Sequence, residues 1–223
     1  MSAVTSEYVE LDDDIGIRVI HSKPQQGKHT FVFLNSIETT ADTWEDRIAP
    51  ALRKQQYGTL SFDYRCQGKT ECGPDAVLES EEMVSDIVRV LEAQQPHRPV
   101  MCGLSIGGLF GARAIGKGAQ AEAIVLINTL RGENTHSAGD KTLEASWDFP
   151  WESLAVPTLV FTGSHDPLSG TQKAVEDILK RIPDMNLLEY PGDGNSLHSE
   201  FPDEFVADLI SYAKLLGLIG ATK

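Results

Sequence analysis

The chain has 223 residues, enough for one α/β domain with a full core and too few for a second large domain. Its 19 Lys and Arg against 33 Asp and Glu give a formal charge of -14, a balance that repels nucleic acid and anionic membrane surfaces. No charged leader opens the sequence and no apolar run reaches the roughly 18 residues that span a bilayer, so the expected location is the cytoplasm.

Two β-rich segments, about 7–12 and 15–22, flank Asp12-Asp13-Asp14 and predict a leading hairpin. Apolar, β-rich runs then recur at 30–34, 59–62, 99–102, 123–127, 158–161 and 186–189. Helix-like stretches separate them, near 44–54, 80–92, 106–116, 171–181 and 203–217. Within 80–92, Met83, Val84, Ile87, Val88 and Leu91 form one apolar stripe at helical spacing. Strands alternating with helices predict a mostly parallel central sheet with helices on both faces. Cys66, Cys72 and Cys102 form an odd set without C-x-x-C spacing, which predicts reduced thiols rather than a disulfide framework or a zinc site.

In such a sheet, ligands bind beyond the carboxyl ends of the strands, so the residues just after each apolar run carry the information. After 99–102 comes Gly103-Leu104-Ser105-Ile106-Gly107, a G-x-S-x-G turn that sets a serine on a sharp strand-to-helix bend. After 158–161 comes Asp166, and after the last strand His198, in a Gly-rich loop ahead of Pro202. Chain order Ser, Asp, His is the α/β-hydrolase order, with Ser105 as nucleophile, His198 as general base and Asp166 as the acid that orients the ring. His165 is the nearest competitor for the acid's place, but adjacent side chains on an extended segment point opposite ways. The other histidines, His21, His29, His97 and His136, read as surface or structural residues. The amides of Ile106 and of Ile37, in the turn after 30–34, are the expected oxyanion donors. Asn35 is expected to shape that turn rather than react.

With these residues in place the chain resembles the α/β-hydrolase superfamily over nearly its whole length, and within it the 3-oxoadipate enol-lactonase group. Three stretches carry the resemblance: Asn35-Ser36-Ile37-Glu38-Thr39-Thr40 with Trp44, Cys102 to Gly108, and Val125-Leu126-Ile127-Asn128-Thr129. The resemblance implies the triad Ser105, Asp166 and His198, with the amides of Ile37 and Ile106 as oxyanion hole. It departs from the family at three points. The connection at about 130–156 has only 27 residues, so a full helical cap cannot fit and the cap is minimal. Glu38 stands where the lactonases have Gly, and Asp63-Tyr64-Arg65-Cys66-Gln67-Gly68-Lys69-Thr70 replaces an Arg-Gly-His-Gly-x-Ser pattern.

The expectation is one domain over 1–223 that hydrolyses a small-molecule ester or lactone through an acyl-enzyme, with no metal or cofactor. Glu38 would border the acyl pocket, and Arg65 and Arg131 would bind a substrate carboxylate or else form structural ion pairs. Trp147 and Trp151 would line the acyl pocket or else pack the short connection onto the domain. Carbon–carbon bond hydrolysis, acyl transfer or perhydrolysis with the same triad, and a non-catalytic binding role on this fold, are the alternatives. Oligomeric state is not legible in the sequence.

Overall fold

A computed structural model describes residues 3–74, 76, 79–130, 149–164, 172–192 and 197–220. Strands β1 (Val4–Asp12) and β2 (Ile15–Ser22) form the predicted hairpin and pair antiparallel. The alternating part follows with β3 (Thr30–Leu34), α1 (Ala41–Asp46), α2 (Ile48–Lys54), β4 (Gly58–Phe62), the two-residue β5 (Glu71–Cys72) and α3 (Ser80–Gln94). Next come β6 (Pro99–Leu104), α4 (Ile106–Gly116), β7 (Ala123–Ile127), a 3-10 turn (Trp151–Ser153) and β8 (Thr158–Gly163). The chain continues through α5 (Gln172–Leu179), β9 (Met185–Tyr190), the single helical turn α6 (Leu197–Glu200) and α7 (Pro202–Gly220).

Among the described residues nine strands form one sheet in the order β1-β2-β4-β3-β6-β7-β8-β9, with β5 paired to β2. Every pairing from β4 across to β9 is parallel. The side-chain period of two explains how one sheet holds two helical layers. Val32 and Leu34 of β3, Met101 of β6, Ile124 and Leu126 of β7 and Val160 of β8 share one core with α3 and α4. The alternate residues Phe31, Phe33, Val100, Cys102, Val125, Ile127, Leu159 and Phe161 share the other with α1, α2 and α7. The expected stripe on α3 is buried at Met83, Val84, Ile87 and Leu91, while Val88 sits half-buried at its edge.

Three local features differ from the sequence expectation. The helical signal at 44–54 splits into α1 and α2 at Arg47 (φ -134°, ψ -45°). Pro50 has no amide hydrogen to bond the carbonyl four residues back, so an unbroken helix cannot run through it. The loop before α7 closes with the turn α6, too short to leave a periodic signature. The cysteines are not all free thiols: Cys66 and Cys72 are joined by a disulfide, their Cα atoms 5.0 Å apart. The intervening turn brings together two residues whose six-residue spacing carries no recognisable signature. Cys102 is fully buried, and desolvation pushes its thiol well above the ordinary range. Loop-closure entropy for so short a ring predicts that the Cys66→Ser, Cys72→Ser double variant unfolds about 2 kcal/mol more easily, read by urea denaturation.

The chain visits β3, crosses to β4 on one side, then returns to β6 on the other. Their reversal opens a crevice between the carboxyl ends of β3 and β6, where open α/β sheets bind ligands.

Candidate active site

Ser105 occupies that crevice, on the one residue between β6 and α4. Its backbone lies at φ 53°, ψ -121°, a left-handed setting costly for any side chain. Glycines make the bend possible. A Cβ on Gly103 would lie 2.5 Å from the Gly107 carbonyl carbon, and one on Gly107 would lie 2.6 Å from the Leu34 carbonyl oxygen. A Cβ on Gly108 would collide with the Thr129 side chain. The first turn of α4 is therefore pressed against the end of β3, and the Ser105 amide is tied to the end of β7 by donation to the Ile127 carbonyl at 2.8 Å. Gly103→Ala is accordingly expected to lower unfolding free energy by about 3 kcal/mol, because the obstruction is backbone that cannot rotate away. Chemical denaturation measures it.

Ser105 is itself part-exposed, although Leu104 and Ile106 on either side are buried. Ile106 opens α4, so its amide is one that the helix does not use internally and points with the positive end of the helix dipole. Across the crevice lies the turn after β3. Ile37 is half-buried there and Glu38 is exposed.

The turn after β3 is fastened from beneath. Asn35 is fully buried, donating through Nδ2 to the Phe62 carbonyl at 2.9 Å and accepting from the Trp44 indole N–H at 2.8 Å. The Tyr64 hydroxyl donates to the Asn35 carbonyl at 2.9 Å. Buried Asp63 accepts the Ala41 amide at 2.7 Å and the Lys69 amide at 3.1 Å, pinning the start of α1 to the turn after β4. Asn35 thus shapes the loop, as expected.

Trp44 links this loop to the histidine. It stacks on Phe33 with ring centroids 4.6 Å apart and packs against the His198 ring at 4.9 Å. Phe205 of α7 lies edge-on to the same imidazole at 6.4 Å. His198 is only 5% exposed, and this apolar enclosure lowers its pKa to about 4 by desolvating the cation. Its Nδ1 is buried with no hydrogen-bond partner among the described residues. A neutral imidazole at the carboxyl edge of the sheet is able to accept a proton.

Asp166 lies outside the described residues, as do Arg131 and Trp147 and most of the short connection. For two of the substrate-binding candidates the described residues match the structural alternative. Arg65 does not present a free charge to the crevice: its guanidinium, 5% exposed, donates to Asp86 of α3 at 2.6 and 2.7 Å and lies 3.6 Å from Glu82. A bidentate buried pair already satisfies the charge. Trp151 is 3% exposed and sits edge-on to Phe149 at 4.9 Å within the core, so it packs the connection down rather than offering a surface. His21 and His29 are structural, bonded to Gln94 at 2.9 Å and Glu122 at 3.0 Å. Sequence reading missed Gln67, whose side chain reaches the turn after β3. The altered 63–70 motif was the only hint, and it named no partner.

Residues 29–153 match the sequence family described as alpha/beta hydrolase fold. Among curated proteins, the one named "Putative carbamate hydrolase RutD" from Variovorax paradoxus is 29% identical over 100 residues, which is 44% of this chain and 37% of that protein. The 3-oxoadipate enol-lactonase 1 of Acinetobacter baylyi is 30% identical over 78 residues, 35% of this chain and 28% of the enzyme. The matched region thus spans about a third of these curated relatives. Of solved structures, the proline iminopeptidase of Mycobacterium smegmatis superposes with a TM-score of 0.81 at 16% identity, covering 97% of this chain and 100% of that one. The esterase from Exiguobacterium antarcticum gives 0.79 at 15% identity, over 94% and 100%. At such identities the likeness is one of fold.

Proposed function

This chain belongs to the α/β-hydrolase family, and from that premise we propose that it is a serine hydrolase of small carboxylic esters or lactones. The observation that carries the proposal is Ser105, held at φ 53° on the bend between β6 and α4 with glycines packed on both sides. A nucleophile at that bend gains a part-exposed hydroxyl beside the first amides of a helix.

In this reading His198 takes the Ser105 proton as the hydroxyl attacks the acyl carbon. The amides of Ile37 and Ile106 receive the charge that develops on the acyl oxygen. His198 then protonates the leaving alkoxide, and its neutral form activates water to release the acid from the acyl-enzyme. Asp166, accepting from His198 Nδ1, fixes the tautomer and stabilises the transient cation. The chain order Ser105, Asp166, His198 supports this choice of acid, and the buried Nδ1 has no hydrogen-bond partner among the described residues. Residues 1–223 act as one catalytic domain, and the short connection at about 130–156 serves as a reduced cap. Two relatives named for an enol-lactone and a carbamate substrate share an acyl carbon bonded to a heteroatom, which favours heteroatom acyl cleavage over carbon–carbon cleavage.

The test is a fluorophosphonate probe with peptide mapping, followed by product analysis on short-chain esters, lactones, carbamates and β-diketones. The expected result is one adduct, on Ser105, and turnover of esters or lactones. An adduct on another residue, or labelling without turnover of any ester or lactone, would overturn the reading.

A further inference from the structure

The turn after β3 is held at three consecutive carbonyls, all by the turn that follows β4. Tyr64 Oη donates to the Asn35 carbonyl at 2.9 Å, and Gln67 Nε2 donates to the carbonyls of Ser36 at 3.2 Å and Ile37 at 2.9 Å. Gln67 is itself fixed at both ends. Its side-chain oxygen accepts the Tyr64 amide at 3.2 Å, its main-chain amide donates to the Tyr64 carbonyl at 3.0 Å, and its carbonyl accepts the Thr70 amide at 3.0 Å. Cys66, the preceding residue, is tied by its disulfide to Cys72, and Cys72 pairs with Ile15 of β2. The glutamine therefore projects from a braced turn rather than a free loop.

We infer that Gln67 is a positioning residue for the oxyanion hole, acting through the Ser36–Ile37 peptide; the inference rests on the reading of Ser105 and Ile37 given above. In a trans peptide the C=O and N–H point in opposite directions, so a donor on the Ser36 oxygen fixes the direction of the Ile37 amide. The same donor polarises the peptide and makes that amide a stronger donor in turn. A second bond to the Ile37 carbonyl prevents the peptide from rotating about the first. Only a carboxamide fits all three contacts: it gives two hydrogens to the carbonyls while its oxygen takes the Tyr64 amide. An ionised carboxylate would keep the acceptor and lose both donors. A preorganised donor matters most once charge has formed on the acyl oxygen, so the effect falls on turnover rather than on substrate binding.

The experiment compares wild type, Ser105→Ala, Gln67→Leu and Gln67→Glu on p-nitrophenyl acetate and in fluorophosphonate labelling rate, with thermal melting of each. The Gln67 variants are expected to lose about 10- to 100-fold in kcat and in labelling rate, less than loss of a whole oxyanion donor because the amide remains. Their KM stays within about threefold, as a transition-state effect requires. Gln67→Glu is isosteric and keeps the Tyr64 contact. Its activity relative to wild type should rise from pH 8 to pH 5, as protonation restores one donor. Activity in Ser105→Ala sinks the nucleophile reading and this inference with it. An inactive Ser105→Ala beside Gln67 variants of wild-type kcat sinks the inference alone. So does a fall in kcat that tracks a lowered melting temperature and shows no pH recovery in Gln67→Glu, since that outcome belongs to a packing role.

Discussion

Ser105→Ala is expected to reduce ester turnover by at least about 10⁴-fold while the protein folds as before. The size follows from the division of labour in the crevice. In the proposed mechanism the hydroxyl supplies the bond-forming atom, and without it no acyl-enzyme forms. What survives is the ability of the Ile37 and Ile106 amides to bind an acyl oxygen while water attacks, a residue of catalysis far below that of the intact triad. Stability should hardly change, because Ser105 is part-exposed and alanine bears the same φ of 53°. Ser105→Gly separates the two roles further. Glycine adopts positive φ without steric cost, so this variant should be as inactive as Ser105→Ala yet resist urea better, by about 1 kcal/mol. A gain in stability on losing the nucleophile would mark the bend as strain kept for chemistry. Equal stability of the glycine and alanine variants would remove the strain from the account, and turnover by either would remove the nucleophile.

The same bend explains why the candidate nucleophile is legible in the chain. Gly103, Ser105 and Gly107 are close in sequence, and the two glycines answer two local close approaches: Gly103 against the backbone of Gly107 and Gly108, and Gly107 against the Leu34 and Asn35 carbonyls. Strands such as β3 and β7 are equally legible, since every residue in them is buried and their apolar runs are unbroken. Pro50 shows a local rule whose consequence, the division of α1 from α2, was open to reading but is hidden by the continuous apolar pattern around it.

Legibility fails where a side chain's meaning depends on a distant partner. Arg65 stands at the active edge in chain order, and nothing nearby says that Asp86, 21 residues further on, claims its guanidinium. Trp151 belongs to an aromatic cluster with two readings, acyl pocket or packing, and only its burial in the core separates them. Gln67 reaches carbonyls 30 and 31 residues back, a contact created entirely by the parallel pairing of β3 with β4. Cys66 and Cys72 meet for a related reason, because β5 turns back onto β2. In each case the motif marks the region and the topology chooses the partner.

Asp166→Asn should lower kcat by about 10³ to 10⁴-fold and move the acid limb of kcat/KM to lower pH. The direction follows from the two forces on His198. Burial against Trp44 and Phe205 disfavours the cation and by itself takes the pKa to about 4. A carboxylate on the buried Nδ1 favours the cation and pulls the value back up. In the proposed mechanism the neutral ring is the base, so activity is lost as pH falls through the pKa of the free enzyme. With Asp166 as that partner, the wild-type limb lies higher than burial alone would set it, and replacing the carboxylate with a neutral amide releases it downward. The linked stability has the same sign. A histidine held below 6.5 in the folded protein makes the unfolded chain the better proton binder, so stability is full above 6.5 and declines as pH falls toward the folded value. The asparagine variant, with the lower folded pKa, should lose more stability than wild type between pH 6 and 4. A limb that stays in place, together with an unchanged acid-stability profile, would show that the partner of Nδ1 is not Asp166. His165→Asn, run beside it, then tests the adjacent residue by the same two measurements.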